Sequence, residues 1–376
     1  MNASSSDITL PPDLRPADGR FGSGPSKVRP DAVAALAAAA PTYLGTSHRQ
    51  SPVRSVVGRI RAGMADLFAL PEGYEVVLGN GGAACFWDVA VFSLIERRSQ
   101  HLSFGNFSES FAGMVAAAAH LDTPDIIDSP AGTHPDPKPN PDVDAYALTH
   151  HETSSGVAME VLRPGPVDEG LVLVDATSAA GAMRVDPTQF DAYYFSPQKG
   201  FGADGGLWIA LCSPAALDRV DRIEATGRWI PESLSLATAV ENARLDQTYN
   251  TPGLATLFLM ADQLEWILSN GGLEWAASRC ETSSNLLYGW AEKSDYASPF
   301  VADHADRSPV VGTVDLDAQI DAKTVIKVLR ANGIVDTDPY RKLGRNQLRV
   351  AMFPAVDPDD VALLTGAVDY IVAALS

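Results

Sequence analysis

One lysine of the chain lies in unusually apolar surroundings. Lys199 falls within residues 193–202, where aromatic residues, a proline and glycines flank a single charge. An ammonium group is strongly hydrated and is rarely buried without a partner or a function. A desolvated lysine loses its proton more readily and becomes a nucleophile that can form a Schiff base. The local sequence is equally compatible with a loop lysine whose stem lies on apolar surface while its ammonium group reaches water.

An aspartate upstream of this lysine supplies the partner for one particular chemistry. Asp175 ends an apolar strand predicted over residues 171–175. Pyridoxal phosphate needs a lysine for its aldehyde, a carboxylate opposite its pyridine nitrogen, an aromatic face and a phosphate cradle. The carboxylate keeps the ring nitrogen protonated, so the ring can accept electrons from a substrate carbanion. Alone, Asp175 could instead cap a helix that begins near Thr177, but together with Lys199 it favours the cofactor.

A glycine-rich turn provides a candidate anion site. Residues 79–84, Gly-Asn-Gly-Gly-Ala-Ala, join a strand predicted over residues 74–78 to an apolar helix predicted over residues 84–94. Such a turn leaves backbone N–H groups free at a helix N-terminus, where an anion can bind. Glycine is common at any tight junction between a strand and a helix, so the turn alone does not establish an anion site.

An α/β fold is predicted to hold these residues together. Apolar strands separated by helices indicate a mostly parallel sheet with helices on both faces, whose ligands bind at the carboxyl ends of the strands. Thr153, Asp175 and Lys199 each follow a predicted strand, so they could converge on one crevice. The predicted strands are residues 74–78, 101–104, 144–149, 171–175, 190–195 and 207–212, and the predicted helices are residues 31–40 (ending at Pro41), 51–70, 84–94 and 107–120.

The chain length of 376 residues favours two domains. We predict an N-terminal arm over residues 1–20 that is mobile or loosely docked, a large cofactor-binding domain over residues 21–260, and a smaller α+β domain over residues 261–376. The smaller domain follows a long helix, and its elements are predicted helices at residues 276–293, 322–332 and 357–375 and strands at residues 310–314 and 347–352.

Composition restricts the class of partner and the compartment. The net charge of −19 argues against nucleic acid and anionic membranes as partners, because both require basic surface. A local cluster of arginines could still bind a small anionic substrate. Three widely separated cysteines, no apolar leader and no long apolar span predict a cytoplasmic protein without a disulfide framework.

Five motifs together resemble the phosphoserine aminotransferases, a branch of the class V aminotransferases. The resemblance covers residues 22–353 and implies the aspartate-aminotransferase-like fold (PLP fold type I), with a large domain built on a seven-stranded, mostly parallel sheet. The turn at residues 81–84 departs from the glycine- and arginine-rich turn common elsewhere and resembles the actinobacterial type. The motifs are Ser47-His48-Arg49, His151-Glu152-Thr153, Val174-Asp175, Ser196-Pro197-Gln198-Lys199-Gly200 and Tyr249-Asn250-Thr251-Pro252.

The resemblance implies a role for each residue around the cofactor ring. Lys199 would bind the aldehyde and shuttle the proton between the substrate Cα and the C4′ atom of the cofactor. Asp175 would pair with the pyridine nitrogen, and Thr153 would hydrogen-bond to the ring hydroxyl. The aromatic residue stacked on the ring aligns with Phe107, and a shift in the alignment would make it Phe104.

The resemblance also implies how the cofactor phosphate is held. Backbone N–H groups of Ala83 and Ala84 would bind it at a helix N-terminus, together with Gln198. Asn250 and Thr251 would reach it from a neighbouring subunit. This arrangement implies an obligate homodimer with shared active sites.

Substrate binding is expected to depend on arginines, because a planar guanidinium binds carboxylates with two hydrogen bonds. By resemblance, Arg349 holds the α-carboxylate. His48 and Arg49, donated across the dimer interface, bind the substrate phosphate or the side-chain carboxylate of glutamate. Arg341 is a third candidate. Without the resemblance, His48 and Arg49 would be read as a solvated loop pair.

No metal site is predicted, since His150 and His151 adjoin Thr153 without further ligands at suitable spacing. Trp87 and Trp208 are read as core residues.

The predicted reaction is reversible, ping-pong amino transfer from L-glutamate to 3-phosphohydroxypyruvate, giving O-phospho-L-serine and 2-oxoglutarate in serine biosynthesis. Family members can also aminate the phosphorylated keto acid of pyridoxine synthesis. The alternative is another class V aminotransferase, such as an alanine–glyoxylate type, which would have no use for His48 and Arg49 as a phosphate pair. A binding protein without catalysis is disfavoured, because Lys199, Asp175 and Thr153 are all present.

Overall fold

A computed structural model describes residues 8–166 and 170–375. The strands are β1 (Glu75–Asn80), β2 (Ser99–Ser103), β3 (Asp125–Asp128), β4 (Ala145–Thr149), β5 (His151–Glu152), β6 (Val157–Ala158), β7 (Leu171–Asp175), β8 (Ala192–Phe195), β9 (Leu207–Cys212), β10 (Ala297–Pro299), β11 (Val311–Leu316) and β12 (Gln347–Ala351). The helices are α1 (Pro30–Tyr43), α2 (Ser51–Leu67), α3 (Ala83–Ser93), α4 (Asn106–Ala117), α5 (Pro214–Ala225), α6 (Leu236–Ala243), α7 (Leu254–Ser269), α8 (Gly272–Ala291), α9 (Ala322–Ala331) and α10 (Pro358–Leu375).

The central sheet has seven strands in the order β1-β9-β8-β7-β4-β2-β3. Strands β3, β2, β4, β7 and β8 run parallel, while β9 is antiparallel to both of its neighbours, β8 and β1. The predicted α/β class with a mostly parallel sheet is therefore confirmed. The parallel order brings the carboxyl ends of β4, β7 and β8 to one edge of the sheet.

Both faces of the sheet are covered, which explains why residues 171–174 of β7 are all apolar. Val172 and Val174 belong to the core on one face, and Leu171 and Leu173 belong to the core on the other. Successive side chains of a strand point to opposite faces, so a strand buried on both sides must be apolar at every position. The first core includes α2 and α7, and the second includes α3, α4, α5 and α6.

A third core lies in the C-terminal part of the chain, between the antiparallel sheet β10-β11-β12 and helices α8, α9 and α10. Ile8 and Leu10 are buried in it, and the Leu10 N–H donates to the Asn332 side chain at 2.9 Å. Residues 1–7 of the predicted arm lie outside the described residues. From Ile8 onward the arm is docked more firmly than we predicted, because its apolar side chains fill this third core.

Two local differences from the sequence-based expectation have simple causes. Helix α1 continues past Pro41 to Tyr43, because a proline in the last turn leaves the next bond, from the Leu44 N–H to the Ala40 carbonyl, intact. Helix α5 was not predicted, since its charged residues obscure an apolar face that includes Val220 and Ile223. Helix α7 crosses residue 260, where a domain boundary was predicted, and the boundary stays a prediction. Among the described residues, no helix is long and apolar enough to cross a membrane.

Candidate active site

A cavity of about 350 Å³ opens at the carboxyl ends of the central strands. Seven of the residues predicted from the sequence line it: Ala83, Ala84, Phe107, Thr153, Asp175, Gln198 and Lys199. The remaining lining residues are Gly24, Gly82, Trp87, Thr149, His151, Thr177 and Ser178. The structure thus brings together side chains from α3, α4 and the segments that follow β4, β7 and β8.

Lys199 lines this cavity from the loop that follows β8, and it is only 7% exposed. Its Nζ donates to Thr153 Oγ1 at 2.7 Å. Burial lowers the pKa of Lys199 to about 8, although the nearby charge of Asp175 raises it. The Ser26 hydroxyl donates to the Lys199 carbonyl at 2.6 Å. The N-terminal segment reaches so close that a Cβ at Gly24 would lie 2.7 Å from the lysine Cε.

Asp175 is held at both carboxylate oxygens. Its Oδ1 accepts the Thr177 N–H at 2.9 Å, and its Oδ2 accepts the Trp87 indole N–H at 2.9 Å. Residues 177–182 form turns, so the alternative in which Asp175 caps a helix beginning near Thr177 is wrong. The carboxylate is 7% exposed and faces the cavity that contains Lys199.

A chain of side-chain contacts continues from the lysine into the protein. Thr153 Oγ1 lies 2.7 Å from Ser178 Oγ, which lies 2.7 Å from His151 Nδ1. Burial first, and then the charge of Lys199, hold the pKa of His151 well below its usual value. His151 is therefore neutral and can accept or donate a proton within this hydrogen-bonded chain.

The start of α3 lines the cavity and is the candidate anion site. Gly82 is the N-cap and makes no side-chain capping bond, so no cap competes for the first N–H groups of Ala83 and Ala84, which line the cavity. The helix dipole adds positive potential at this end. Gln198 lines the same cavity, and its buried Oε1 has no partner among the described residues.

Phe107 forms an aromatic wall of the cavity. Its ring centroid lies 5.4 Å from Lys199 Nζ. Phe104 is 1% exposed and packs in the core instead, so the geometry favours Phe107 over Phe104 for stacking on a ligand. The buried carboxylate of Glu152 accepts the Phe107 N–H at 3.1 Å and the Ser108 N–H at 3.0 Å. Glu152 thereby fixes the first turn of α4.

Arg349 lies beside the cavity on β12. Its Nη1 donates to the Thr153 carbonyl at 3.3 Å, and its guanidinium lies 5.4 Å from the Tyr340 ring centre. Burial lowers its pKa, and its buried Nε has no partner among the described residues. Arg341 is exposed and does not line the cavity.

The predicted cross-subunit residues form a separate cluster on the surface of the chain. His48 Nδ1 lies 3.1 Å from Thr251 Oγ1, and the Arg49 guanidinium donates to Gln247 at 2.6 Å. Burial, and then the charge of Arg49, lower the pKa of His48. Neither this pair nor Asn250 and Thr251 lines the cavity around Lys199.

Sequence reasoning missed several residues of the cavity. Trp87 was read as core, yet it lines the cavity and donates to Asp175. Its spacing from Ala83 and Ala84 could have revealed that it lines the cavity, although not that it contacts Asp175, because residues three and four apart share one helix face. Trp208, also read as core, is 2% exposed and packs against Phe86. Among the described residues, no cluster of three or more His, Cys, Asp or Glu side chains could hold a metal ion.

The cavity fits pyridoxal phosphate in both size and chemistry. Cavities of a few hundred Å³ hold small ligands. The cavity is lined by a buried lysine, a carboxylate held by two hydrogen bonds, a helix N-terminus and the ring of Phe107. These are the groups that the aldehyde, the ring nitrogen, the phosphate and the ring face of this cofactor require.

Comparisons with known proteins agree with this arrangement. Residues 137–337 match the family described as "Aminotransferase class-V". A protein of Mycolicibacterium vanbaalenii is 58% identical over 98% of this chain and 99% of its own length. A phosphoserine aminotransferase of Rhodococcus jostii is 56% identical over 97% of this chain and 98% of its own. The crystal structure of a phosphoserine aminotransferase from Cytophaga hutchinsonii has the same fold, with a TM-score of 0.85 and 24% identity over 94% of this chain and 99% of that one.

Proposed function

The chain belongs to the phosphoserine aminotransferases of the class V family, and from this premise we propose how its residues carry out the reaction. The reaction is reversible amino transfer from L-glutamate to 3-phosphohydroxypyruvate, which yields O-phospho-L-serine and 2-oxoglutarate. The cofactor is pyridoxal phosphate. When bound, it supplies an electron sink for the carbanion that forms when the substrate loses its Cα proton.

The observation that carries this proposal is a buried lysine whose pKa is lowered to about 8 inside a cavity that also holds a fixed carboxylate. A base acts best when its pKa lies near the working pH. Lys199 Nζ takes the proton from Cα of the amino donor and returns a proton to Cα of the keto acid in the reverse half-reaction. Thr153 orients Nζ through their 2.7 Å hydrogen bond.

The remaining cavity residues position the cofactor. Asp175 binds the ring nitrogen and keeps it protonated, and Thr153 binds the ring hydroxyl. The N–H groups of Ala83 and Ala84 and the side-chain amide of Gln198 bind the phosphate. Phe107 covers one face of the ring. By holding the cofactor at these points, the residues would keep the Cα–H bond of the substrate aligned with Lys199 Nζ, which is the main geometric requirement of the reaction.

Arg349 binds the α-carboxylate of the amino acid. Its guanidinium is held in place by the Thr153 carbonyl and by the ring of Tyr340. Since its Nε has no partner in the described part of the chain, the guanidinium keeps donors available for a bidentate contact with a carboxylate. Arg341, exposed beside Tyr340 on the same loop, is a further candidate for the anionic end of the substrate.

We propose a homodimer in which each subunit completes the active site of the other. His48, Arg49, Asn250 and Thr251 lie apart from the cavity of their own chain; Arg49, Asn250 and Thr251 are exposed, and His48 is half-buried. In a symmetric dimer such a cluster can face the cavity of the partner. There His48 and Arg49 would bind the substrate phosphate or the side-chain carboxylate of glutamate, and Asn250 and Thr251 would bind the cofactor phosphate.

We also propose a cytoplasmic location. Cys85, Cys212 and Cys280 are free thiols, and two of them are fully buried. Unpaired cysteines are typical of a reducing compartment.

Replacing Lys199 with alanine tests the proposed chemistry. We expect Lys199→Ala to lose the visible absorbance of the lysine-bound cofactor and to lose turnover of phosphoserine with 2-oxoglutarate, because no other amine lines the cavity in the described part of the chain. Lys327→Ala removes an exposed lysine of α9 and is the matched control. Full turnover by Lys199→Ala would rule out the proposed role of this lysine.

A further inference from the structure

The indole of Trp87 makes a buried hydrogen bond to a residue of the proposed reaction site. Its Nε1–H donates to Asp175 Oδ2 at 2.9 Å, and the two side chains are 6% and 7% exposed. We propose that Trp87 is a positioning residue that fixes the Asp175 carboxylate for pairing with the protonated ring nitrogen of the cofactor. This inference rests on the proposed function and deepens it.

The indole itself is held rigidly. It stacks on Phe111 of α4, with ring centroids 5.8 Å apart and planes inclined by 16°. The preceding residue, Phe86, stacks on Tyr194 of β8 at 4.4 Å, which fastens α3 to the sheet. Because both α4 and the sheet restrain this turn of α3, the indole N–H of Trp87 has little freedom to follow a displacement of the Asp175 carboxylate.

Helix α3 contributes both to the proposed phosphate site and to the support of the carboxylate proposed to bind the ring nitrogen. Ala83 and Ala84 begin α3, and Trp87 follows them at spacings of four and three residues. Residues at these spacings lie on one helix face, and all three line the cavity. One rigid element therefore sets the distance between the phosphate-binding N–H groups and the carboxylate that binds the ring nitrogen.

The environment of the carboxylate makes the Trp87 bond strong. The second oxygen of Asp175 accepts the Thr177 N–H at 2.9 Å, so the plane of the carboxylate is fixed at two points. Tyr194 of β8 lies opposite Asp175 in the sheet. Burial and the charge of Asp175 raise the pKa of Tyr194, so the tyrosine hydroxyl stays neutral. Hydrogen bonds to an ionised acceptor are stronger than neutral ones, and they gain further strength where water is excluded.

A set of three variants tests the coupling between the two side chains. Trp87→Phe removes the N–H and keeps an aromatic ring against Phe111, Asp175→Asn removes the charge, and the double variant combines them. The dissociation constant of pyridoxal phosphate from each apoprotein is measured by equilibrium dialysis. We expect Trp87→Phe to weaken binding about tenfold, and the double variant to bind no more weakly than Asp175→Asn, since the two losses concern one interaction.

Trp208→Phe is the matched control. Trp208 is also a buried indole, but its Nε1 has no partner among the described residues, and it lies outside the cavity. Trp87→His, which retains a ring N–H, serves as a second variant and should recover part of the affinity. In the cofactor-loaded enzyme, Trp87→Phe should lower kcat and leave KM for phosphoserine nearly unchanged. The reason is that no described contact joins Trp87 to Arg349, the residue proposed to bind the substrate carboxylate.

Two results would overturn this assignment. One is an affinity of Trp87→Phe equal to that of Trp208→Phe. The other is a double variant whose loss is the product of the two single losses, which would show that Trp87 acts independently of Asp175. Both results would leave the proposed function intact, whereas a wild-type protein that binds no pyridoxal phosphate would overturn the function as well.

Discussion

The reactivity of Lys199 follows from a competition between two opposing effects on one amine. Burial disfavours the ammonium form, whereas the negative charge of Asp175 favours it. Burial is the larger effect, so the pKa falls to about 8 rather than rising. The Thr153 hydroxyl, 2.7 Å from Nζ, fixes the direction of the nitrogen without adding charge. The result is an amine that is partly neutral near physiological pH.

This pKa predicts how fast the apoprotein captures its cofactor as the pH changes. Only the neutral amine attacks an aldehyde, so the capture rate should rise as the pH rises through about 8 and level off above it. Stopped-flow absorbance after mixing apoprotein with pyridoxal phosphate measures this rate. Lys199→Ala is the control and should show no such phase. A midpoint near the ordinary lysine value of about 10.4 would contradict the account.

The sequence predicted half of the residues that line the cavity, but it did not predict the Trp87 contact. Lys199, Asp175 and Thr153 could be predicted because each follows a strand and belongs to a motif. Trp87 lies in an apolar helix, where tryptophan usually belongs to the core. Its role depends on a contact with a residue 88 positions away, and no local pattern encodes that distance.

At the scale of elements, helix α4 is held by a residue outside it. Glu152 is fully buried, and its Oε2 accepts the Phe107 and Ser108 N–H groups, while its Oε1 accepts the Ser154 hydroxyl at 2.6 Å. Burial raises the pKa of Glu152, and these hydrogen bonds oppose that shift. The carboxylate also meets the positive end of the helix dipole. The position of Phe107 in the cavity therefore depends on Glu152.

Replacing Glu152 with glutamine should destabilise the protein. The glutamine amide would present N–H donors to backbone donors in a buried site, so we expect the free energy of unfolding to fall by about 2–4 kcal/mol. Urea unfolding of the apoprotein measures it. Glu109→Gln, an exposed position on the first turn of the same helix, is the control and should change stability by less than about 0.5 kcal/mol. Equal effects of the two substitutions would contradict the role given to Glu152.

Helices and strands could be predicted where a local sequence pattern indicates them. The run Leu-Val-Leu-Val-Asp at β7 (Leu171–Asp175) predicted a strand with the bounds that the structure has. The antiparallel pairing of β1 with β9 could not be predicted, because it joins segments far apart in the sequence. The short strand β3 was also missed, since it has only four residues and alternates between half-buried and exposed positions.

Over the whole molecule, the residues proposed to bind the substrate lie in two separate places of one chain. The cavity holds Lys199 and lies beside Arg349, yet His48, Arg49 and Thr251 cluster outside it. The chain carries a net charge of −19, so an anionic substrate requires local positive charge at the binding site. A second copy that contributes His48 and Arg49 would supply that charge.

Mixed dimers test this shared site. Lys199→Ala alone and the double variant His48→Ala/Arg49→Ala alone should each be nearly inactive with phosphoserine. Co-expression of equal amounts should restore about a quarter of the wild-type sites, because half of the dimers are mixed and each mixed dimer has one intact site. The measurement is turnover per subunit of the purified mixture. Activity no higher than that of the separate variants would show that His48 and Arg49 do not serve the partner's site.

The most direct test of the account is a single half-reaction followed by absorbance. The purified, cofactor-loaded protein is mixed with O-phospho-L-serine alone, and separately with L-alanine, without any keto acid. We predict that phosphoserine converts the visible band of the bound cofactor to the band of the pyridoxamine form. The rate of this conversion with alanine should be lower by a factor of about one hundred or more. Conversion by alanine at an equal rate, or no conversion by phosphoserine, would contradict the assignment of this chain as a phosphoserine aminotransferase.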